Sequence, residues 1–174
     1  MAATLSSLGS LLHALGRNEE ARARLERALA IRQKALGPEH PNVAVTLSSL
    51  GSALTALGRH EEAQARLERA LALLEKALGP KHPQVAEPLL GLGELHLARR
   101  QPSKALPLLE RALALAQEAN KARAQLPLAR ALWEAGTDRR RAVTLATQAR
   151  AYWRDQDHPR QAEAGRWLAS HSRP

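Results

Sequence analysis

A 42-residue repeat constrains this 174-residue chain more than any other feature of its sequence. Residues 2–43 align with residues 44–85 without a gap, and 32 of the 42 positions are identical. A repeat of this period indicates a stack of similar supersecondary units, none of which can bury its apolar face alone. We therefore expect an extended array in which each unit covers part of its neighbour.

The composition indicates that these units are helical. The chain contains 35 Ala and 32 Leu, whereas Val and Ile together number five, and Phe and Cys do not occur. Because strands favour β-branched and aromatic residues, the sequence predicts an all-α protein. The lack of cysteine excludes disulfides, cysteine-bound metals and a thiol nucleophile. No apolar run approaches the ~20 residues of a membrane span and no signal peptide is evident, so we expect a cytoplasmic protein without membrane contact.

Each unit has the pattern of two helices joined by a tight turn. Four leucines share one face of the first helix: Leu5, Leu8, Leu12 and Leu15. Gly16 is predicted to end this helix, because glycine readily adopts the positive φ of a helix C-terminal turn. Asn18 is the predicted N-cap of the second helix, which runs to about Leu36 before a Gly-Pro pair ends it.

Several recurring positions carry a family resemblance. A Leu-Gly pair occurs in the first helix of three units, at residues 8–9, 50–51 and 92–93, and Ala residues recur in the second helix. Small residues at such places allow close approach of two helices. Together with the Gly-Pro-x-His-Pro loops at 37–41 and 79–83, these positions resemble tetratricopeptide repeats. The 42-residue variety of kinesin light chains, also found in bacterial proteins and kinase-associated regions, is the most similar. The resemblance implies a right-handed α-solenoid of antiparallel helix pairs.

The repeat predicts one solenoid domain over residues 1–174. Its units span about 2–43, 44–85, 86–122 and 123–157, and a capping helix spans about 159–171. The later units diverge: Arg100 stands in the third where Gly58 stands in the second, and Gly136 restores the glycine in the fourth. Met1 falls inside the first unit, so we expect either a fragment or truncated product, or a solenoid that begins abruptly.

The resemblance also implies a concave groove that the first helices line and that accepts a peptide. The matching positions are Ser7, Ser10, His13, Ala14, Ser49, Ser52, Thr55, Ala56, Glu94, Leu97 and Ala98. Peptide-binding members of the family often have Asn, Lys or Arg there, whereas this chain has mostly Ser and Ala, so the ligand chemistry is not readable. The predicted function is a non-catalytic scaffold for a protein or peptide partner. One context is the C-terminal part of a bacterial signalling protein such as a serine/threonine kinase.

Motifs for catalysis or metal binding are missing from the sequence. Seven histidines occur singly, without the His-x-x-x-His spacing of a metal pair. Three of them, His40, His82 and His158, belong to the His-Pro loops, where we expect a structural role. No phosphate-binding loop, nucleophile elbow or kinase catalytic loop is present. We therefore predict neither an enzyme nor a bound metal or cofactor.

The formal net charge of +9 and the run Arg139-Arg140-Arg141 leave nucleic-acid binding open as an alternative function. These arginines either contact an acidic partner or form a solvated turn, and the turn is the favoured interpretation. Four C-terminal aromatic residues, Trp133, Tyr152, Trp153 and Trp167, could join them in binding single-stranded nucleic acid, but we expect core packing beneath the last helix instead. End-to-end self-association is the other alternative, since near-identical repeats invite stacking.

Overall fold

The computed structural model describes residues 1–156 and 160–171, and in these ranges the chain is helical, without a strand. The helices are α1 (Ala2–Ala14), α2 (Asn18–Leu36), α3 (Pro41–Ala56), α4 (His60–Leu78), α5 (Ala86–Ala98), α6 (Pro102–Leu115), α7 (Glu118–Glu134), α8 (Arg139–Asp155) and α9 (Arg160–His171). A 3-10 turn, Pro83–Val85, precedes α5. The predicted all-α fold is confirmed.

The helices form four pairs that stack into a solenoid. The first helices α1, α3, α5 and α7 contact one another in order and form one row, and α2, α4 and α6 each pack on the first helix of the next pair. The last helix, α9, packs on α8 and covers the end of the array, as predicted. The break between the third and fourth pairs lies at residues 116–117, earlier than the predicted unit boundary at 122.

The turns within the four pairs share one backbone geometry. In the first turn, the N–H of Gly16 donates to the carbonyl of residue 13, and the next N–H donates to the carbonyl of residue 12. The same two hydrogen bonds recur at Gly58, Arg100 and Gly136. The glycines have φ values of 76°, 75° and 67°, and Arg100 has a φ of 57°. The turn therefore holds an arginine in the left-handed region, which costs a residue with a Cβ about 1–2 kcal/mol.

The loops between the first three pairs use histidine to begin the next helical segment. The Nδ1 atom of His40 accepts a hydrogen bond from the N–H of Asn42 at 3.0 Å, and Nδ1 of His82 accepts one from Gln84 at 3.2 Å. Proline follows each histidine and needs no amide partner at this position. The structural role predicted for these two histidines is confirmed, whereas His158 lies outside the described residues.

The prediction that Asn18 caps α2 is wrong. Asn18 is the first residue of the helix, Arg17 occupies the cap position, and no side chain there bonds to the helix amides. The Oδ1 atom of Asn18 instead accepts a hydrogen bond from Nδ1 of His13 at 2.7 Å. This side chain therefore ties the end of α1 to the start of α2.

The leucine face predicted for α1 is only partly buried. Leu12 is buried, but Leu8 and Leu15 are 40% and 63% exposed. Leu50, which corresponds to Leu8 in the second unit, is 1% exposed because the helices of the first unit pack against α3. No described element covers α1 in the same way, so identical residues have different environments.

A glycine in each of the first three pairs permits the close contact between its two helices. A Cβ atom on Gly51 would lie 2.5 Å from Cγ of Leu67, which is fully buried. The corresponding distance from Gly9 to Leu25 would be 2.6 Å, and Gly93 is as close to Leu109. The packing reason predicted for the Leu-Gly pair is confirmed, because any side chain here would displace the buried leucine.

We expect Gly51→Ala to lower the free energy of unfolding by up to about 2 kcal/mol. The methyl group would overlap Leu67 at an overpacking cost of about 1–3 kcal/mol, and the gain of about 1 kcal/mol that alanine brings to a helix interior offsets part of this. Urea denaturation followed by circular dichroism measures the change.

Two variants test the cause of this loss. In a Leu67→Ala background the overlap is removed, so Gly51→Ala should then be neutral or stabilising. Gly165→Ala in α9 is the matched control, since its Cβ would come no closer than 3.5 Å to another atom; it should stabilise the protein. Equal effects of Gly51→Ala in both backgrounds would contradict the steric explanation.

We expect Arg100→Gly to raise the free energy of unfolding by about 1 kcal/mol, because it removes the Cβ from a left-handed residue. The reverse change at the matched position, Gly58→Arg, should destabilise by a similar amount. Thermal and urea denaturation of both variants measure these shifts, and a destabilised Arg100→Gly protein would rule out backbone strain as the dominant effect at this turn.

Candidate functional site

A concave pocket of about 560 Å³ is the candidate functional site. The first helices of all four pairs contribute to its lining, together with the end of α8 and the start of α9. Its volume falls in the range of pockets that hold small ligands or a few side chains. Residues far apart in the sequence therefore meet on one surface.

Six of the eleven positions matched to the groove line this pocket: Ser10, His13, Ala14, Ser49, Ser52 and Glu94.

The other matched positions lie outside the pocket. Ser7 is exposed on α1, and the hydroxyl of Thr55 donates to the carbonyl of Gly51 at 3.0 Å. Leu97 is half-buried against the core. Ala56 and Ala98 are exposed at the ends of their helices. The structure thus brings together the middle of the predicted groove but not its flanks.

An ion pair on the pocket wall was not found by sequence reasoning. The two terminal nitrogens of Arg123 in α7 donate to the two carboxylate oxygens of Glu87 in α5, at 2.6 and 3.1 Å. The residues are 36 positions apart. The same spacing separates the Leu-Gly pair at 92–93 in the third unit from Leu128-Ala129, its counterpart in the fourth. Aligning the fourth unit at this shorter spacing would have placed the two side chains opposite each other.

Glu94 projects from α5 into the pocket and is half-buried. Burial raises the pKa of its carboxyl above the ordinary value for glutamate, and the nearby charges of Arg160, Arg123 and His13 offset this only in part. Among residues 1–156 and 160–171, the carboxylate has no hydrogen-bond partner. It is therefore a desolvated acid held without a direct counter-charge.

Aromatic and polar side chains from the C-terminal helices close the remaining wall. Tyr152 and Trp153 come from the end of α8, Gln156 directly follows this helix, and Arg160 comes from the start of α9. The guanidinium carbon of Arg160 lies 6.0 Å from the ring centroid of Trp153, a cation–π geometry. Sequence reasoning missed this wall because the path of the chain from α8 into α9 carries no repeat signal.

The core role predicted for the tryptophans is confirmed. Trp153 is 3% exposed, and the rings of Trp133 and Trp167 meet edge to face with centroids 5.9 Å apart. His171 stacks on Trp167 at 4.5 Å. Trp153 belongs both to the core and to the pocket wall, whereas Tyr152 is 36% exposed and lines the pocket, so the core role predicted for Tyr152 is wrong.

The run of three arginines forms the first turn of α8, away from the pocket, so the interpretation as a turn between two helices is wrong. Arg141 donates to both carboxylate oxygens of Glu110 at 2.5 and 2.8 Å. The guanidinium of Arg139 lies 5.0 Å from the ring centroid of Trp133. Contact of Arg139, Arg140 and Arg141 with an acidic partner or nucleic acid stays a prediction, but two of these side chains already have partners within the chain.

Within residues 1–156 and 160–171, no group of three or more His, Asp or Glu side chains has an arrangement that could hold a metal ion. None of the described helices is both long and apolar enough to cross a membrane.

The raised pKa of Glu94 makes stability depend on pH. An acid whose folded-state pKa is raised destabilises the fold where it is ionised. We therefore expect Glu94→Gln to raise the melting temperature at pH 7, and this advantage should vanish as pH falls through the folded-state pKa of Glu94. Thermal denaturation across pH measures the difference. Glu68→Gln on the exposed face of α4, where the carboxylate accepts from Gln64 and has no ion pair among the described residues, is the control. A stabilisation independent of pH would contradict desolvation as its cause.

Comparison with known proteins identifies the family. The tetratricopeptide-repeat profile matches residues 1–76 and again residues 45–118. Two crystal structures of a kinesin-light-chain-type protein from Podosopora anserina with nearly identical TPR-like repeats, one of them carrying a single substitution, share 27% identity with this chain. Each superposes with a TM-score of 0.69 and covers 97% of this chain and 84% of its own length.

A third crystal structure shows the same fold. BtubC (BKLC) from P. vanneervenii is 24% identical, with a TM-score of 0.69 over 91% of this chain. The chain spans 66% of the length of BtubC. No curated protein matches the sequence significantly. The repeat profile, the solenoid of helix pairs and the shared turn geometry together show that the chain belongs to the tetratricopeptide-repeat family.

Proposed function

We propose that this protein is a non-catalytic scaffold that binds a peptide segment of a partner protein in the concave pocket. The observation that carries the proposal is the convergence of side chains from all four first helices on one pocket of about 560 Å³. Tetratricopeptide-repeat proteins generally bind protein partners, which supports the same function. A signalling context, such as a bacterial serine/threonine kinase, is a finer proposal that rests on the sequence resemblance.

The chemistry of the pocket suits a peptide. Serine hydroxyls can donate to and accept from a peptide backbone, and the exposed Tyr152 offers an apolar surface with a polar tip. The Glu87–Arg123 pair joins α5 to α7 across the wall, so the pocket does not depend on one flexible loop. Pre-organised sites of this kind bind with a smaller entropy cost.

We expect Ser49→Glu combined with Ser52→Glu to weaken peptide binding at least about tenfold. The two larger side chains would occupy the space that the peptide backbone needs, and a loss of about 1.4 kcal/mol already corresponds to a factor of ten. Peptides would be selected from a random displayed library on the wild-type protein, synthesised with a fluorophore, and titrated by fluorescence anisotropy.

The matched control places the same charge change elsewhere. Ala65→Glu combined with Ala72→Glu adds two glutamates to exposed positions of α4, away from the pocket, and should leave the dissociation constants unchanged. Circular dichroism of both double variants verifies the fold. Peptides that bind both variants as tightly as the wild type would overturn the assignment of the pocket.

A further inference from the structure

One position of the concave row changes its chemistry from unit to unit. Ser10, Ser52 and Glu94 occupy the same place in the first, second and third repeats, and all three line the pocket. The neighbouring position changes as well, because Gly91 stands where the first two units have Ser7 and Ser49. The third unit therefore replaces two hydroxyls with one carboxylate and a glycine.

The glycine at position 91 removes a contact between first helices. The hydroxyl of Ser10 donates to the hydroxyl of Ser49 at 3.4 Å and links α1 to α3. The next contact in this register would join Ser52 to position 91, but Gly91 has no side chain, and the buried Leu67 fills this place: a Cβ on Gly91 would lie 2.6 Å from Cδ2 of Leu67 and 3.5 Å from Oγ of Ser52. Within the described ranges, the Ser52 hydroxyl consequently lacks a hydrogen-bond partner. It faces the pocket that Glu94 also lines.

The other charged groups around Glu94 are already engaged. Arg123 gives both terminal nitrogens to Glu87, and His13 donates through Nδ1 to Asn18. Arg160 lies over Trp153, as described above. Glu94 accepts no hydrogen bond from any described residue, although Arg160, Arg123 and His13 attract it through space, so its carboxylate is a charge on this surface that a ligand can pair with directly.

We propose that the pocket binds a basic side chain, lysine or arginine, of an extended peptide, with the Glu94 carboxylate as its ion-pair partner and the Ser52 hydroxyl as a second acceptor. The inference rests on the proposed function, since it names the residue type that the peptide presents. A buried charge is stabilised when an opposite charge also donates hydrogen bonds to it. An ammonium or guanidinium group supplies both, and the aromatic wall at Tyr152 accepts the flanking methylenes.

The net charge of the protein increases the expected selectivity for a basic residue at Glu94. The net charge of +9 disfavours basic peptides at most of the surface, so a basic residue should be tolerated only where a local acid faces it. An acidic peptide is the opposite case, because it would be attracted to the surface generally and would have to displace the existing partner of Arg123.

The test compares peptides selected from a random displayed library on the wild type and on Glu94→Gln. We expect the wild-type set to share a lysine or arginine at one position. Replacing that residue with methionine should lower affinity for the wild type about tenfold or more, the range for a charge-assisted contact. The same replacement should have little effect on binding to Glu94→Gln, and Glu26→Gln should behave as the wild type.

Charge reversal gives a second, independent measurement. Glu94→Lys should select Asp or Glu at the position where the wild type selects Lys or Arg. If peptides bind and respond to the Ser49/Ser52 double variant but share no basic residue, the proposed function stands and this inference is overturned. Selection of acidic peptides by the wild type also overturns it. Failure to select any binding peptide would overturn both.

Discussion

The contact between a glycine of each first helix and a leucine of its second helix sets the spacing on which the rest of the array depends. Gly51 allows the helix axes to approach until Leu67 fills the interface. Because dense cores do not deform continuously, this distance also determines where the next pair packs. Gly9 and Gly93 occupy the same place in their units, so one local contact repeats along the first three pairs and positions the row of first helices that forms the pocket.

Much of this fold could be predicted from the sequence, because its determinants are local and recur. The helices, the tight turns and the packing role of the Leu-Gly pair depend on residues close together in one unit. Predictions were wrong where the neighbour decides the outcome: Leu8 and Leu50 are identical residues, yet only the second has a unit packed over it. Arg100 shows the converse, since the array imposes a turn geometry that its own residue type disfavours.

The candidate site was also predictable only where its residues follow the repeat. Ser10, Ser52 and Glu94 could be placed on one surface because they share a repeat register, and family resemblance supplied the face. Arg123 and Tyr152 could not, because the fourth unit has a different spacing and the path from α8 to α9 follows no repeat. The repeat therefore sets the backbone framework of the site, and side chains that do not follow the repeat add charge and an aromatic surface.

The near identity of the first two units has a consequence for how the chain assembles. A face that fits one neighbour also fits a copy of that neighbour, and repeat proteins are prone to docking between wrong partners. Units one and two, with 32 of 42 positions in common, carry little information about which should lie next to which. That information resides in the divergent third and fourth units, where ion pairs such as Glu87–Arg123 and Glu110–Arg141 have no equivalent in the first two. The irregular half of the solenoid thus defines the order of its parts, and a more regular sequence would be a less specific one.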